Sequence, residues 1–156
     1  MTVSVDIELT KAYIVGGGIA GLATAAYLIR DGRLAGTNIS IFEEGTQTGG
    51  SLDAHPPELL KTANCIPCMM PYITSQFLVR AEGDRPAVVP KGARNFAFLG
   101  QYCEIADDVV FTVEYSVRSA QIAVFALLDL DKKVSQIYKG QHDPSVLFNS
   151  VKAMLK

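Results

Sequence analysis

Apolar and β-branched residues run together from Lys11 to Val15 (KAYIV), stop at Gly16 to Gly18, and resume as Ile19, Leu22, Ala23, Ala26 and Tyr27. The short run bounded by glycine predicts a buried strand, and the three-to-four spacing after it predicts a helix. That helix pattern ends at Asp31-Gly32, where a glycine can take the left-handed C-terminal conformation. Asn38 to Phe42 (NISIF) predicts a second strand. Strand, helix and strand in this order need a crossover, so the two strands are expected to be parallel.

The pattern is less regular beyond this unit. Gly45 to Pro57 reads as loop, and Glu58 to Val79 as partly helical, with Pro67 and Pro71 limiting any long helix. Arg85-Pro86 and Pro90 frame an irregular stretch with a short strand at Ala87 to Val89. Asn95 to Leu99 (NFAFL), ended by Gly100, predicts another strand. Val113, Val117, Ala120, Val124 and Leu127, with Glu114, Arg118 and Gln121 between them, predict a helix over Val113 to Leu128. Pro144 to Leu155 predicts a short helix packed on the surface.

Composition narrows the class. With 156 residues, 49% hydrophobic and 19% charged, the chain suits one folded domain. A net charge of −2, with Lys and Arg scattered, supplies no basic field for nucleic acid. Three cysteines, Cys65, Cys68 and Cys103, are too few and odd in number for a secreted disulfide framework, which with the absence of a leader-like start points to the cytoplasm. Ala12 to Ile29 is uncharged and long enough for a membrane span. Its triple glycine fits a strand-turn-helix better, so no transmembrane segment is expected.

Gly16-x-Gly18-x-x-Gly21 lies between the first strand and its helix, the setting in which this motif has a mechanical meaning. The first glycine permits a tight turn, the second lets the backbone approach a pyrophosphate, and the third lets helix and strand pack closely. Backbone N–H groups at the start of the helix, around Ile19 and Ala20, would meet the phosphate charge. Glu43 ends the second strand 22 residues after Gly21, where ribose hydroxyls need a carboxylate acceptor. Glu44 is the neighbouring candidate, since alternation along a strand turns only one of the two toward the crevice. The motif and its acid predict an α/β fold of Rossmann type, a small parallel sheet with flanking helices.

Gly49-Gly50-Ser51 resembles the second glycine motif of flavoproteins of the amine-oxidase type, which favours FAD as the cofactor. Phe98-Leu99-Gly100, followed by the helix from Val113, resembles their distal flavin motif, in which a strand-end glycine approaches the ribityl phosphate and a helix N-terminus faces the flavin. Gln101 stands where those families usually have an acid.

A narrower resemblance covers nearly the whole chain. KAYIVGGGIAGLATAAYLIRDG (Lys11 to Gly32), IFEEGTQTGGSLD (Ile41 to Asp53), CMMPYITSQF (Cys68 to Phe77), GDRPAVVPKGARNFAFLGQ (Gly83 to Gln101) and VVFTVEYSVRSAQIAV (Val109 to Val124) resemble oleate hydratases, once called myosin-cross-reactive antigens. The resemblance implies FAD, unsaturated fatty acid as a partner, and addition of water to a cis double bond without net redox change. It places Thr74 and Ser75 in the segment facing the flavin ring.

In those longer chains the segments like 49–53 and 64–77 are far apart, whereas here only Ala54 to Ala63 separates them. The chain therefore reads as one domain spanning 1–156, built from an N-terminal part (about 11–53) and a C-terminal part (about 64–156) joined at about 54–63. In such flavoproteins the nucleotide domain is discontinuous, so the strands Asn38–Phe42, Lys11–Val15 and Asn95–Leu99 are expected side by side in that order. The family's Arg-Gly-Gly-Arg-Glu stretch and its tyrosine-bearing substrate lobe have no counterpart, and no catalytic acid or base can be named. An FAD-binding module without a complete hydratase site is the leading expectation. A compact hydratase or flavin oxidoreductase completed by oligomerisation is the alternative, and self-association is expected in either case.

Other residues have plainer readings beside their chemical ones. Cys65-x-x-Cys68 lacks two further ligands at zinc spacing and reads as buried thiol, so no metal is expected. His55 and His142 sit in proline-containing loops as solvated side chains. Met69, Met70, Tyr72 and Phe77 suit either core or an acyl or flavin pocket. Glu114 and Arg118 are one helical turn apart and suit a surface ion pair.

Overall fold

The computed structural model describes residues 5–44, 48–49, 64–67, 81, 83–108 and 112–155. Strand β1 (Ala12–Val15) runs into helix α1 (Ile19–Arg30), and β2 (Ile39–Glu43) returns parallel to β1 in the register Ala12 to Ile39 through Val15 to Phe42. β3 (Asn64–Pro67) adds to the other side of β2, also parallel, from Ser40 opposite Asn64 to Glu43 opposite Pro67. The sheet order is β1-β2-β3. Two further helices follow, α2 (Val113–Leu127) and α3 (Pro144–Met154).

The expected strand-helix-strand unit is present, but its first strand is not buried throughout: Ile14 enters the core while Tyr13 and Val15 are exposed. Ile14, Ile39 and Ile41 from the sheet, Leu22, Ala25 and Leu28 from α1, and Val124 and Phe125 from α2 are buried together. Tyr27 of α1 meets Phe125 of α2 edge to face, with ring centroids 6.1 Å apart. The end of α1 differs in detail from the expectation. Gly32 does not take a positive φ, and Arg33 does, at 57°. Gly32 is there for packing: a Cβ would stand 2.4 Å from Leu128 Cδ1 and 2.8 Å from the Leu28 carbonyl oxygen.

Three expectations for the middle of the chain are corrected. Residues 64–67, expected within a partly helical segment, form β3, whose backbone pairs with β2. Asn95 to Leu99 does not join the sheet: the Phe98 N–H goes to the Val88 carbonyl at 2.8 Å, inside the same loop. Consequently β3, not this run, is the third strand, and it flanks β2 and not β1. Ala87 to Val89 makes only an isolated bridge, Ala87 to Glu104. The loop is nevertheless fixed, through a second core of Val88, Cys103, Ile105, Tyr115 and Ala123. The Tyr115 hydroxyl donates to the Cys103 carbonyl at 2.7 Å and accepts from the Ile105 N–H at 3.0 Å.

Arg118 and Gln121, polar positions of α2, are buried, while Glu114 is exposed. Arg118 pairs with Asp108 at 2.7 Å and donates to the Ser135 carbonyl, so the expected Glu114–Arg118 surface pair gives way to a buried one. Gln121 donates to the Tyr27 hydroxyl at 2.8 Å and accepts from the Ser135 N–H at 3.0 Å. Lys132 reaches Asp31 at 2.5 Å. These contacts hold Ser135 against α2 and Lys132 against the end of α1, and a covering segment of this kind cannot be read from helical periodicity.

α3 forms, with Asp143 accepting from the Ser145 N–H as its cap, yet it buries none of its residues. It lies at the surface, as expected, without burying an apolar face against the described residues. Leu147, Phe148, Val151 and Met154 are exposed on it. Among the described residues no helix is long and apolar enough to cross a membrane.

Candidate functional site

The turn from β1 into α1 uses each of its glycines differently. Gly16 has φ 97°, a conformation costly for other residues, and its N–H donates to the Phe42 carbonyl at 2.7 Å. Gly21 is held by packing, because a Cβ there would fall 2.0 Å from the Gly16 carbonyl oxygen and 3.2 Å from Ile14 Cγ2. Gly18 has neither constraint. Its φ of −73° and ψ of −176° suit any residue, and a Cβ on it would meet nothing within 4 Å among the described residues.

Gly18 is also the N-cap of α1, and no side chain caps that end. The first-turn N–H groups, including those of Ile19 and Ala20, have no intrahelical acceptor and carry the positive end of the helix dipole. By contrast, Thr112 caps α2 by accepting from the Tyr115 N–H at 3.1 Å. An uncapped helix start behind a bare glycine, with nothing within 4 Å of the place of its Cβ among the described residues, suits a phosphate group.

Glu43 and Gly49 close on this turn. The Glu43 carboxylate, at the end of β2, accepts the Gly17 N–H at 2.5 Å. Glu44 lies just past the strand and is exposed, so Glu43 is the acid that meets the glycine turn. The Gly49 N–H donates to the Gly17 carbonyl at 2.8 Å, and Gly49 bridges to Gly18 in parallel fashion. Thus the two glycine motifs, about thirty residues apart, touch. Gly50, Ser51, Thr74 and Ser75 lie outside the described residues.

Gly100 ties the C-terminal part to the same place. It is buried with φ 57°, and a Cβ on it would stand 3.3 Å from Ala20 Cβ and 3.7 Å from Ser116 Oγ. Its N–H donates to Ser119 Oγ at 2.9 Å. One glycine therefore joins the first turns of α1 and α2. Val113, the first residue of α2, is 45% exposed.

Thr48, Ser116 and Ser119 are part of this cluster and were not legible as such. Thr48 immediately precedes the Gly49-Gly50 pair, and Ser116 and Ser119 share one helix face, which are the only sequence signals they carry. Burial pushes the Cys103 thiol up to about 12, which keeps it protonated and unreactive. Among the described residues no cluster could hold a metal ion, and Cys68 lies outside them.

The profile of the MCRA family matches residues 9–56 and 52–125. The chain belongs to the MCRA family. The matched stretches hold the glycine turn, Glu43, Gly49, Gly100 and Val113, while α3 lies beyond them. The chain is 44% identical over 81 residues to an oleate hydratase of Streptococcus pyogenes serotype M49 (strain NZ131), covering 51% of this chain and 14% of that one. It is 36% identical over 108 residues to a linoleate hydratase of Lactiplantibacillus plantarum, covering 68% of this chain and 19% of the relative. The aligned stretches cover less than a fifth of the length of either relative.

Proposed function

We propose that this chain is a Rossmann-type FAD-binding module, with the pyrophosphate at Gly16, Gly18 and Gly21 and the N–H groups of Ile19 and Ala20. The observation that carries this reading is Gly18, a glycine that neither backbone conformation nor packing among the described residues demands. A bound phosphate would explain it, since a side chain there fills the space in front of the helix start. Glu43 would accept the ribose hydroxyls. Gly49, Gly50 and Ser51 would line the flavin side of the pyrophosphate, Gly100 the ribityl chain, and Thr74, Ser75 and the start of α2 at Val113 the flavin. The family match, in two stretches that meet at residues 52–56, fits a nucleotide domain assembled from two separated parts.

The names of both relatives state fatty-acid hydration, which favours a second reading of the chain as part of a hydratase acting on unsaturated fatty acid. Hydration needs a proton donor at one alkene carbon and an activated water at the other. No described residue is assigned to either role, so the chain is expected to bind the cofactor and to need another chain for turnover. Three cysteines and the lack of a basic patch favour a cytoplasmic protein without nucleic-acid partners. Absorbance at the flavin bands in protein purified from cells tests the first reading, and 10-hydroxystearate formation from oleate tests the second.

A further inference from the structure

Thr48 is 4% exposed, and its hydroxyl is buried without a hydrogen-bond partner. A hydroxyl removed from water and left unpaired is destabilising, and most native structures avoid it. The surroundings point to a reason. Thr48 Cγ2 lies 3.1 Å from the point where Gly17 would carry a Cβ, and Glu43 Oε2 lies 2.9 Å from that same point. The next residue, Gly49, is bonded to the Gly17 carbonyl. The Thr48 side chain and the Glu43 carboxylate therefore close over Gly17 together.

The methyl and hydroxyl of threonine are two branches of one Cβ, so a turn of about 120° at χ1 carries the hydroxyl into the place of the methyl. That place and Glu43 Oε2 lie 3.1 Å and 2.9 Å from the same point over Gly17. A carboxylate has about four acceptor positions, so Glu43 can accept several donors at once, the Gly17 N–H among them.

We propose that Thr48 is a positioning residue for Glu43: when ribose is bound, its hydroxyl turns to the Glu43 carboxylate and fixes that group to accept the ribose hydroxyls. This rests on the nucleotide-site reading above. The hydrogen bond that the Thr48 hydroxyl lacks is made on binding, and affinity for the ADP moiety then depends on a residue that does not itself touch the nucleotide.

Calorimetric titration with ADP of wild type, Thr48→Val, Thr48→Ser, Glu43→Ala and the double variant Thr48→Val/Glu43→Ala tests this. Thr48→Val should weaken binding about 10- to 150-fold, the range of one charge-assisted hydrogen bond, and Thr48→Ser should stay within about twofold of wild type. On the Glu43→Ala background the Thr48→Val effect should vanish, which a merely structural role would not produce. Thr48→Ala removes the same hydroxyl and replaces Thr48→Val if that variant folds poorly. Equal affinity of wild type and Thr48→Val, or the same loss on both backgrounds, would overturn the inference alone. Failure of wild type to bind ADP would overturn the nucleotide-site reading and this inference with it.

Discussion

Gly21 and Gly16 approach so closely that a single added carbon at position 21 would stand 2.0 Å from the Gly16 carbonyl oxygen. That contact sets the distance between α1 and the turn leaving β1, and hence where the first N–H groups of α1 point. Gly21→Ala should destabilise the fold by about 1–3 kcal/mol or more, as overpacking does. Gly18→Ala, whose Cβ meets nothing within 4 Å among the described residues, should stay within about 1 kcal/mol of wild type. Urea unfolding of the two variants checks the contrast, and equal losses would mean that the two glycines are not distinguished by packing.

Glu43 and Glu44 are adjacent but unequal. Glu43→Ala should weaken nucleotide binding by roughly 1 to 3 kcal/mol, the worth of a partly buried hydrogen-bonding partner. Glu44→Ala, at an exposed bend, should change it by less than about 0.5 kcal/mol. Titration with FAD separates them, and a larger effect at Glu44 would reverse the assignment.

Burial raises the Cys103 thiol from its ordinary 9.0 to about 12. A group whose folded pKa is raised contributes stability that is intact below its unfolded value and is lost as pH climbs toward the folded one. Wild type should therefore lose thermal stability between about pH 9 and 12, and Cys103→Ala should show a shallower loss over that window. Melting curves at successive pH values measure both slopes. Parallel slopes would show that Cys103 does not contribute to the alkaline limb.

Tyr13 and Val15 are 66% and 59% exposed on β1, at one edge of the described sheet. Apolar side chains along an open strand edge favour pairing with another chain. Light scattering across micromolar concentrations should show mass above that of a monomer, shifted downward by Tyr13→Lys. A strictly monomeric wild type contradicts this expectation.

The strand-helix-strand unit was legible because its signals are local: an apolar run, a glycine turn and a helical period, which meet in a core through Ile14, Leu22 and Ile41. The glycines and Glu43 were legible for the same reason, since the spacing fixes which residues meet across two adjacent parallel strands. β3 was not, because four residues, Asn64 to Pro67, carry no alternation of their own and become a strand by pairing with β2. Asn95 to Leu99 has a stronger strand composition and yet remains in a loop, tied by Phe98 to Val88 and covered by the core around Tyr115. Arg118 and Gln121 read as solvent-facing because the segment that covers them, held at Ser135, comes from a part of the chain with no periodicity. Thr48 was illegible in its role because a threonine before two glycines is an ordinary turn residue until its unpaired hydroxyl is seen beside Glu43.

The central claim is that the space in front of Gly18 belongs to a pyrophosphate, and a fluorescence titration of FAD into wild type and Gly18→Val tests it most directly. Valine there should leave the circular dichroism spectrum and cooperative unfolding intact, since its Cβ meets nothing within 4 Å among the described residues. The account predicts saturable FAD binding by wild type and none by the folded Gly18→Val variant. Equal affinity in the two proteins, or no binding by wild type, would contradict it.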